Sequence, residues 1–104
     1  MPAAARLTLG AFWVRFDTGR ALSSQGEVAL DDKALKLMDY FVRHEDKVLS
    51  RSDILEEVWG HDAVPADTLD LFVQRLRTLF EPIPDAPAIF VNVRGRGYLF
   101  KRPS

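Results

Sequence analysis

The stretch that decides the fold is residues 66–80, which read ADTLDLFVQRLRTLF. Its apolar residues recur at intervals of three and four, a pattern typical of a helix with one buried face. That face comprises Leu69, Phe72, Val73, Leu76, Leu79 and Phe80. Three prolines between positions 82 and 87 prevent the helix from continuing. We therefore predict a helix over residues 66–81.

A basic hairpin is predicted directly after this helix. Residues 91–100 read VNVRGRGYLF, in which β-forming residues flank the segment Arg94-Gly95-Arg96-Gly97. Glycine allows the positive φ angles that a tight hairpin turn requires. The predicted hairpin spans residues 88–102 and presents two arginines at its tip.

Two more helices are predicted upstream, over residues 31–60. Asp31 stands where an N-cap belongs, and Ser50 with Asp53 three residues later forms a short-armed capping box. Gly60 is a natural C-terminal stop for the second of these helices. Their predicted buried stripes are Leu35, Met38, Phe41 and Val42 in the first and Ile54, Leu55, Val58 and Trp59 in the second.

Residues 6–30 alternate short β-forming runs with turns, which predicts an antiparallel β-meander. The order is thus meander, two helices, loop, third helix and hairpin. A helix-turn-helix protein reads DNA with its second helix, and a hairpin beyond that helix can reach the flanking backbone. We predict an α+β fold in a single domain over residues 1–104. It is a winged helix-turn-helix with an N-terminal antiparallel β-meander, three helices and a C-terminal β-hairpin wing.

Composition and charge limit the function classes. The chain has 104 residues, 47% of them hydrophobic, which suits one globular domain, and it has no cysteine for a disulfide or a thiolate zinc site. No apolar run reaches the ~18 residues of a membrane span, so we expect no membrane segment and a cytoplasmic location. Residues 31–62 carry nine acidic and five basic side chains, whereas residues 89–104 carry four basic and no acidic ones.

Catalysis is not expected from the residues present. His44 lies in the last turn of a predicted helix, where the helix dipole accounts for it. The adjacent pair His61-Asp62 has no nucleophile nearby and no metal-ligand spacing. We therefore expect no enzyme activity, no cofactor, no metal and no small-molecule substrate.

Three separated motifs resemble those of OmpR/PhoB-type winged-helix transcription regulators, the response regulators of two-component systems. Residues 48–60 (VLSRSDILEEVWG) resemble the second helix of that family, residues 69–77 (LDLFVQRLR) its recognition helix, and residues 93–98 (VRGRGY) its wing. The resemblance implies a domain that binds double-stranded promoter DNA. Its recognition helix would lie in the major groove, and its wing on the adjacent minor groove or backbone.

The resemblance also implies partners and control. Family members often bind direct repeats as tandem dimers, so a tandem homodimer is expected. The loop Gly60–Pro65 corresponds to a segment that can contact RNA polymerase in the family, and the alternative is an ordinary exposed loop. A receiver domain or a membrane-anchored sensor usually controls such a domain, so we expect either an excised domain or a stand-alone protein.

Individual residues receive roles from the helix geometry and the resemblance. At 100° per residue, Arg75 and Arg77 lie roughly 160° apart on opposite shoulders of the helix, where each can reach one wall of a groove. The predicted DNA-binding residues are Thr68 and Arg77 for phosphates, Leu71, Gln74 and Arg75 for base edges, and Asn92, Arg94 and Arg96 in the wing. Asp70 is expected to pair with a nearby basic residue, and Tyr98 to pack beneath the wing.

A second hypothesis rests on departures from the family pattern. Family members usually carry arginine where Asp67 stands and histidine where Phe72 stands. A carboxylate at position 67 repels phosphate, although it can accept a hydrogen bond from a cytosine amino group. Together with the acid-rich residues 31–62, this favours a degenerate winged-helix protein-interaction module with weak or no specific DNA binding. Both hypotheses stay open at the level of the sequence, and the set of Arg75, Arg77 and Arg94 together with the charge of the wing favours DNA binding.

Overall fold

The computed structural model describes residues 6–103 and begins with four short strands. They are β1 (Arg6–Leu9), β2 (Phe12–Arg15), β3 (Arg20–Ser23) and β4 (Gly26–Ala29). Each strand pairs antiparallel with the next along the chain, so the sheet order is β1-β2-β3-β4. The predicted N-terminal β-meander is therefore confirmed.

Two capped helices follow the meander, α1 (Asp32–Arg43) and α2 (Arg51–Trp59). The Asp31 carboxylate accepts a hydrogen bond from the Ala34 backbone N–H at 2.8 Å, and the Ser50 hydroxyl accepts one from Asp53 at 3.1 Å. Both predicted N-caps are therefore confirmed. The residues that α1 buries are Ala34, Leu37, Met38 and Phe41, whereas the predicted Leu35 and Val42 are only half-buried at the edge of that face.

The third helix, α3 (Thr68–Phe80), is shorter than the predicted span of 66–81 at both ends. The carbonyl of Ala66 accepts a hydrogen bond from Arg51 Nη2 at 3.1 Å, and this side-chain contact fixes a turn before the helix. At the other end Glu81 has extended backbone angles. The observed and predicted boundaries therefore differ by one or two residues at each end, which is the ordinary variation of helix termini.

A second sheet consists of β5 (Val48–Leu49), β6 (Phe90–Val93) and β7 (Gly97–Phe100), in the order β5-β7-β6. Strands β6 and β7 form the predicted wing. Strand β5 was not predicted, because two residues are too few to show a period of two. A Cβ atom on Gly97 would lie 1.9 Å from the Leu49 carbonyl oxygen, so only glycine allows β7 to approach β5 this closely.

Both sheets are attached to the helices, the wing sheet through α1 and the meander through α3. Phe41 of α1 packs against Phe90 and Phe100 of the wing strands, with ring centroids 6.0 and 6.3 Å away. On the other side, Ser24 in the β3–β4 turn donates hydrogen bonds from its backbone N–H to the Leu79 carbonyl (2.8 Å) and from its hydroxyl to the Thr78 carbonyl (2.7 Å). Within residues 6–103, none of the helices is long and apolar enough to cross a membrane.

Candidate nucleic-acid interface

One side of α3 faces solvent along its length. Leu71 has 62% of its surface exposed, and Gln74, Arg75 and Thr78 are exposed as well. Thr68, at the start of the helix, is half-buried. The opposite side of the helix lies in the core, so α3 presents a ridge that no described part of the chain covers.

The wing turn lies next to the start of α2. Asn92, Arg94 and Arg96 are all exposed, and the Arg96 N–H donates to the Val93 carbonyl at 2.9 Å to close the turn. An open cleft of about 600 Å³ separates this turn from Arg51 and Ser52. Residues 89–104 carry no acidic side chain, and although Arg102 pairs with Glu45 at 2.9 Å, Arg94 and Arg96 at the turn form no ion pair within residues 6–103. The wing turn is therefore positively charged.

A three-residue network connects α2, α3 and the wing. Asp70 on α3 accepts hydrogen bonds from both terminal nitrogens of Arg51 on α2 and from the hydroxyl of Tyr98 on β7, with the longest of these contacts at 3.0 Å. The predicted structural role of Asp70 and the predicted packing of Tyr98 beneath the wing are confirmed. Sequence reasoning missed Arg51, which the resemblance places within a helix motif without marking it as a partner of Asp70.

The hydrogen bonds of this network shift the pKa values of Asp70 and Tyr98. The Arg51 guanidinium lowers the pKa of Asp70 below its ordinary value of 3.8, against the opposing effect of burial. Burial and the hydrogen bond to Asp70 raise the pKa of Tyr98 to about 12. Both groups are therefore held in the form that the hydrogen bond requires, an ionised carboxylate and a neutral phenol.

Arg77 leaves α3 on the side of the wing. Its Nε and Nη2 atoms donate to the Phe90 carbonyl at 3.0 and 2.8 Å, and its guanidinium lies 5.9 Å from the centroid of the Tyr98 ring. Arg77 therefore connects the recognition helix to β6. Sequence reasoning predicted a phosphate contact at this position and missed the structural one, because no local pattern marks the carbonyl it binds.

Arg75 leaves α3 on the opposite side, as the helical geometry predicts. Its Nη1 atom lies 3.3 Å from Asp31 Oδ2, at the start of α1, and its guanidinium lies 5.9 Å from the Phe72 ring centroid. The side chain stays 54% exposed. Arg75 is thus held by one long, solvent-exposed ion pair and by the face of the Phe72 ring.

A buried carboxylate fixes the connection between α3 and the wing. Glu81 is 2% exposed, and its two oxygens accept hydrogen bonds of 2.7 to 3.1 Å from the backbone N–H groups of Ala88, Ile89 and Phe90. Sequence reasoning missed this residue, since a glutamate after a helix is usually exposed.

The predicted loop Gly60–Pro65 is largely exposed, and Lys33 Nζ lies 3.5 Å from its Asp62 carboxylate. Within residues 6–103, no three acidic or histidine side chains form a candidate metal site.

Comparison with known sequences agrees with this arrangement. A family model described as "Transcriptional regulatory protein, C terminal" matches residues 25–100. The chain is 41% identical over 88 residues to the sensory transduction protein RegX3 of Mycolicibacterium smegmatis, covering 82% of this chain and 39% of that relative. It is 38% identical over 74 residues to the transcriptional regulatory protein YvrH of Bacillus subtilis, covering 70% and 31%. The chain thus spans at most about two-fifths of the length of these relatives.

Solved structures share the fold. The RstA DNA-binding domain of Klebsiella pneumoniae, in complex with the RstA box, superimposes with a TM-score of 0.75 at 19% identity, covering 94% of this chain and 98% of that one. The C-terminal domain of the nisin resistance regulator NsrR superimposes with a TM-score of 0.68 at 31% identity, covering 94% and 99%. The predicted winged helix-turn-helix is therefore confirmed.

Proposed function

We propose a mode of DNA binding that proceeds from one premise: this chain belongs to the OmpR/PhoB-type family of transcriptional regulatory protein C-terminal domains. In this mode, α3 lies in the major groove of promoter DNA, and the wing lies on the adjacent minor groove or backbone. Membership of that family makes the chain a DNA-binding domain of a response-regulator-type transcriptional regulator. One observation carries the docking proposal: the exposed ridge of α3 and the positively charged wing are fixed side by side through Asp70. A duplex that enters along α3 therefore meets the wing at its flank.

The exposed side chains divide into those that read bases and those that bind phosphates. Leu71 and Gln74 stand at the centre of the ridge, where Leu71 suits a thymine methyl group. Arg75 offers a guanidinium fork to a guanine edge. The phosphate and wing contacts that we propose are Thr68, Arg77, Asn92, Arg94 and Arg96. Arg77 binds phosphate in this proposal only through the part of its guanidinium that does not bind the Phe90 carbonyl.

Further partners follow from the family and from the position of each surface. The complex of the RstA domain with the RstA box supports double-stranded DNA as the ligand class, and a bacterial regulator meets promoter DNA in the cytoplasm. We propose a tandem homodimer on repeated sites. We also propose that the exposed loop Gly60–Pro65 contacts RNA polymerase. No enzymatic role is proposed, since the family consists of regulators.

Selection of bound duplexes from a random DNA pool, followed by salt titration, tests the function. We expect an enriched motif. Arg75→Ala should weaken binding to it by about five- to 150-fold and relax one position of the motif, because a bidentate base contact is lost. Arg94→Ala should weaken binding to all duplexes and lower the salt dependence by about one counterion.

Arg15→Ala is the matched control, because Arg15, at the end of β2 in the meander, pairs with Asp17 in the following turn and is not a proposed contact. It should leave both the motif and the affinity unchanged. If no motif is enriched and affinity at low salt stays below the non-specific level, the chain is the protein-interaction module of the second hypothesis.

A further inference from the structure

The side chain best placed to read a base is already engaged in the unbound domain. Arg75 Nη1 contacts Asp31 Oδ2 at 3.3 Å, and the two side chains are 54% and 50% exposed. Asp31 belongs to a different element, since it immediately precedes α1, 44 positions before Arg75 in the chain. The contact therefore connects the exposed side of α3 to the start of α1.

Asp31 cannot follow Arg75 when that arginine moves. Its other carboxylate oxygen, Oδ1, accepts the 2.8 Å hydrogen bond from the Ala34 N–H that caps α1. The backbone of Asp31 is extended, and its carbonyl accepts the first helical hydrogen bond, from Leu35 at 3.0 Å. The carboxylate is therefore fixed, whereas Arg75 has a long and largely exposed side chain.

We propose that Asp31 competes with DNA for Arg75 and so limits the affinity for the specific site. This inference rests on the proposed function. A bidentate contact with guanine through the two terminal nitrogens of the guanidinium uses Nη1, so Arg75 must leave Asp31 to make that contact. On an unrelated duplex no base contact is made, and Arg75 stays on Asp31. The competition therefore lowers specific binding and leaves non-specific binding largely unchanged.

The magnitudes decide which partner prevails. An exposed ion pair changes an equilibrium by up to about fivefold, whereas a bidentate base contact changes it by about five- to 150-fold. DNA therefore takes Arg75 from Asp31 at a matching site, and specific affinity is lower by the strength of the ion pair. Asp31 acts only through Arg75 and is a positioning residue.

The test substitutes Asp31→Asn, which removes the charge and keeps a good N-cap. Asp32→Asn is the matched control, because it removes the same charge one position later, and among residues 6–103 the Asp32 carboxylate forms no ion pair. Each variant is titrated with the duplex that the unsubstituted chain enriches from a random pool and with an unrelated duplex of equal length.

We expect Asp31→Asn to tighten binding to the enriched duplex by about two- to fivefold more than Asp32→Asn does. On the unrelated duplex the two variants should be equal. In an Arg75→Ala background the difference between them should vanish. Asp31→Ser, which also caps, should reproduce Asp31→Asn, and unfolding midpoints of all variants establish that α1 stays intact.

The outcomes separate the inference from the function on which it rests. If the unsubstituted chain enriches no motif, the proposed function fails and the inference fails with it. If it enriches a motif but the two variants bind alike, only the inference is overturned. It is also overturned if Asp31→Asn weakens specific binding, because Asp31 would then orient Arg75 toward DNA, or if the gain persists without Arg75.

Discussion

The two flanks of α3 are built differently. On the wing side, Asp70 and Arg77 make several short hydrogen bonds to Arg51, Tyr98 and the Phe90 carbonyl, on α2, β7 and β6. On the meander side, Arg75 makes one 3.3 Å ion pair with an exposed carboxylate and lies over the Phe72 ring of its own helix. The wing flank is therefore a fixed joint between α3, α2 and the wing, whereas Arg75 on the meander flank can exchange its partner.

This difference shows that helix geometry alone does not assign a role to a side chain. Arg75 and Arg77 occupy equivalent shoulders of the same helix, and both appeared as DNA contacts from the sequence. Their partners separate them, since a backbone carbonyl in the wing is a structural acceptor and an exposed carboxylate is replaceable. Arg77 thus holds the wing, and Arg75 is the shoulder for which we propose a base contact.

The largest expected effect breaks the fixed joint at the wing. Gly97→Ala should destabilise the domain by about 3 kcal/mol or displace the wing, because the new Cβ would lie 1.9 Å from the Leu49 carbonyl oxygen and the residue has φ of +140°. Gly95→Ala is the control, since a Cβ there meets nothing within 4 Å and φ is +74°. It should cost only about 1 kcal/mol in urea unfolding. Equal losses would refute close packing of β7 against β5.

A smaller effect compares the flanks directly. Arg77→Met should lower the free energy of unfolding by about 1 kcal/mol, because the Phe90 carbonyl loses two donors. Arg75→Met should change it by no more than about 0.5 kcal/mol, since an exposed ion pair contributes little. Urea unfolding of the two variants in parallel measures both. A larger loss for Arg75→Met would reverse the comparison.

A third effect sharpens the description of the joint through pH. Because the pKa of Asp70 is lowered on folding, its contribution is present above pH 3.8 and is lost as pH falls further. Because the pKa of Tyr98 is raised from 10.0 to about 12, its contribution is present below pH 10 and is lost as pH rises toward 12. Thermal unfolding across this range measures both limbs. Tyr98→Phe should remove the alkaline limb that belongs to this residue and weaken the acid one without removing it, because Arg51 is the largest cause of the lowered pKa of Asp70 and Tyr98 contributes a smaller part. An unchanged alkaline limb would contradict the assignment.

The sequence predicted those parts of the fold that depend on near neighbours. The N-caps Asp31 and Ser50 bind backbone groups three residues away, and the buried stripe of α3 follows from its spacing. The chain order and the three motifs then sufficed for the winged helix-turn-helix, including which side of α3 is exposed.

The parts that could not be predicted depend on distant partners. Strand β5 exists only because Val48 and Leu49 pair with Leu99 and Tyr98 at the other end of the chain. Glu81 is buried because three backbone N–H groups, seven to nine residues later, turn toward it. The eight predicted DNA-binding residues stay predictions, although the structure places them on α3 and the wing.

The two hydrogen bonds of Ser24 make the position of α3 depend on the meander as well as on the wing. They attach the β3–β4 turn to the Thr78 and Leu79 carbonyls near the end of the helix, whereas Asp70 attaches its first turn to α2 and β7. A displacement of the four-stranded sheet therefore reaches the far end of α3 without passing through the wing.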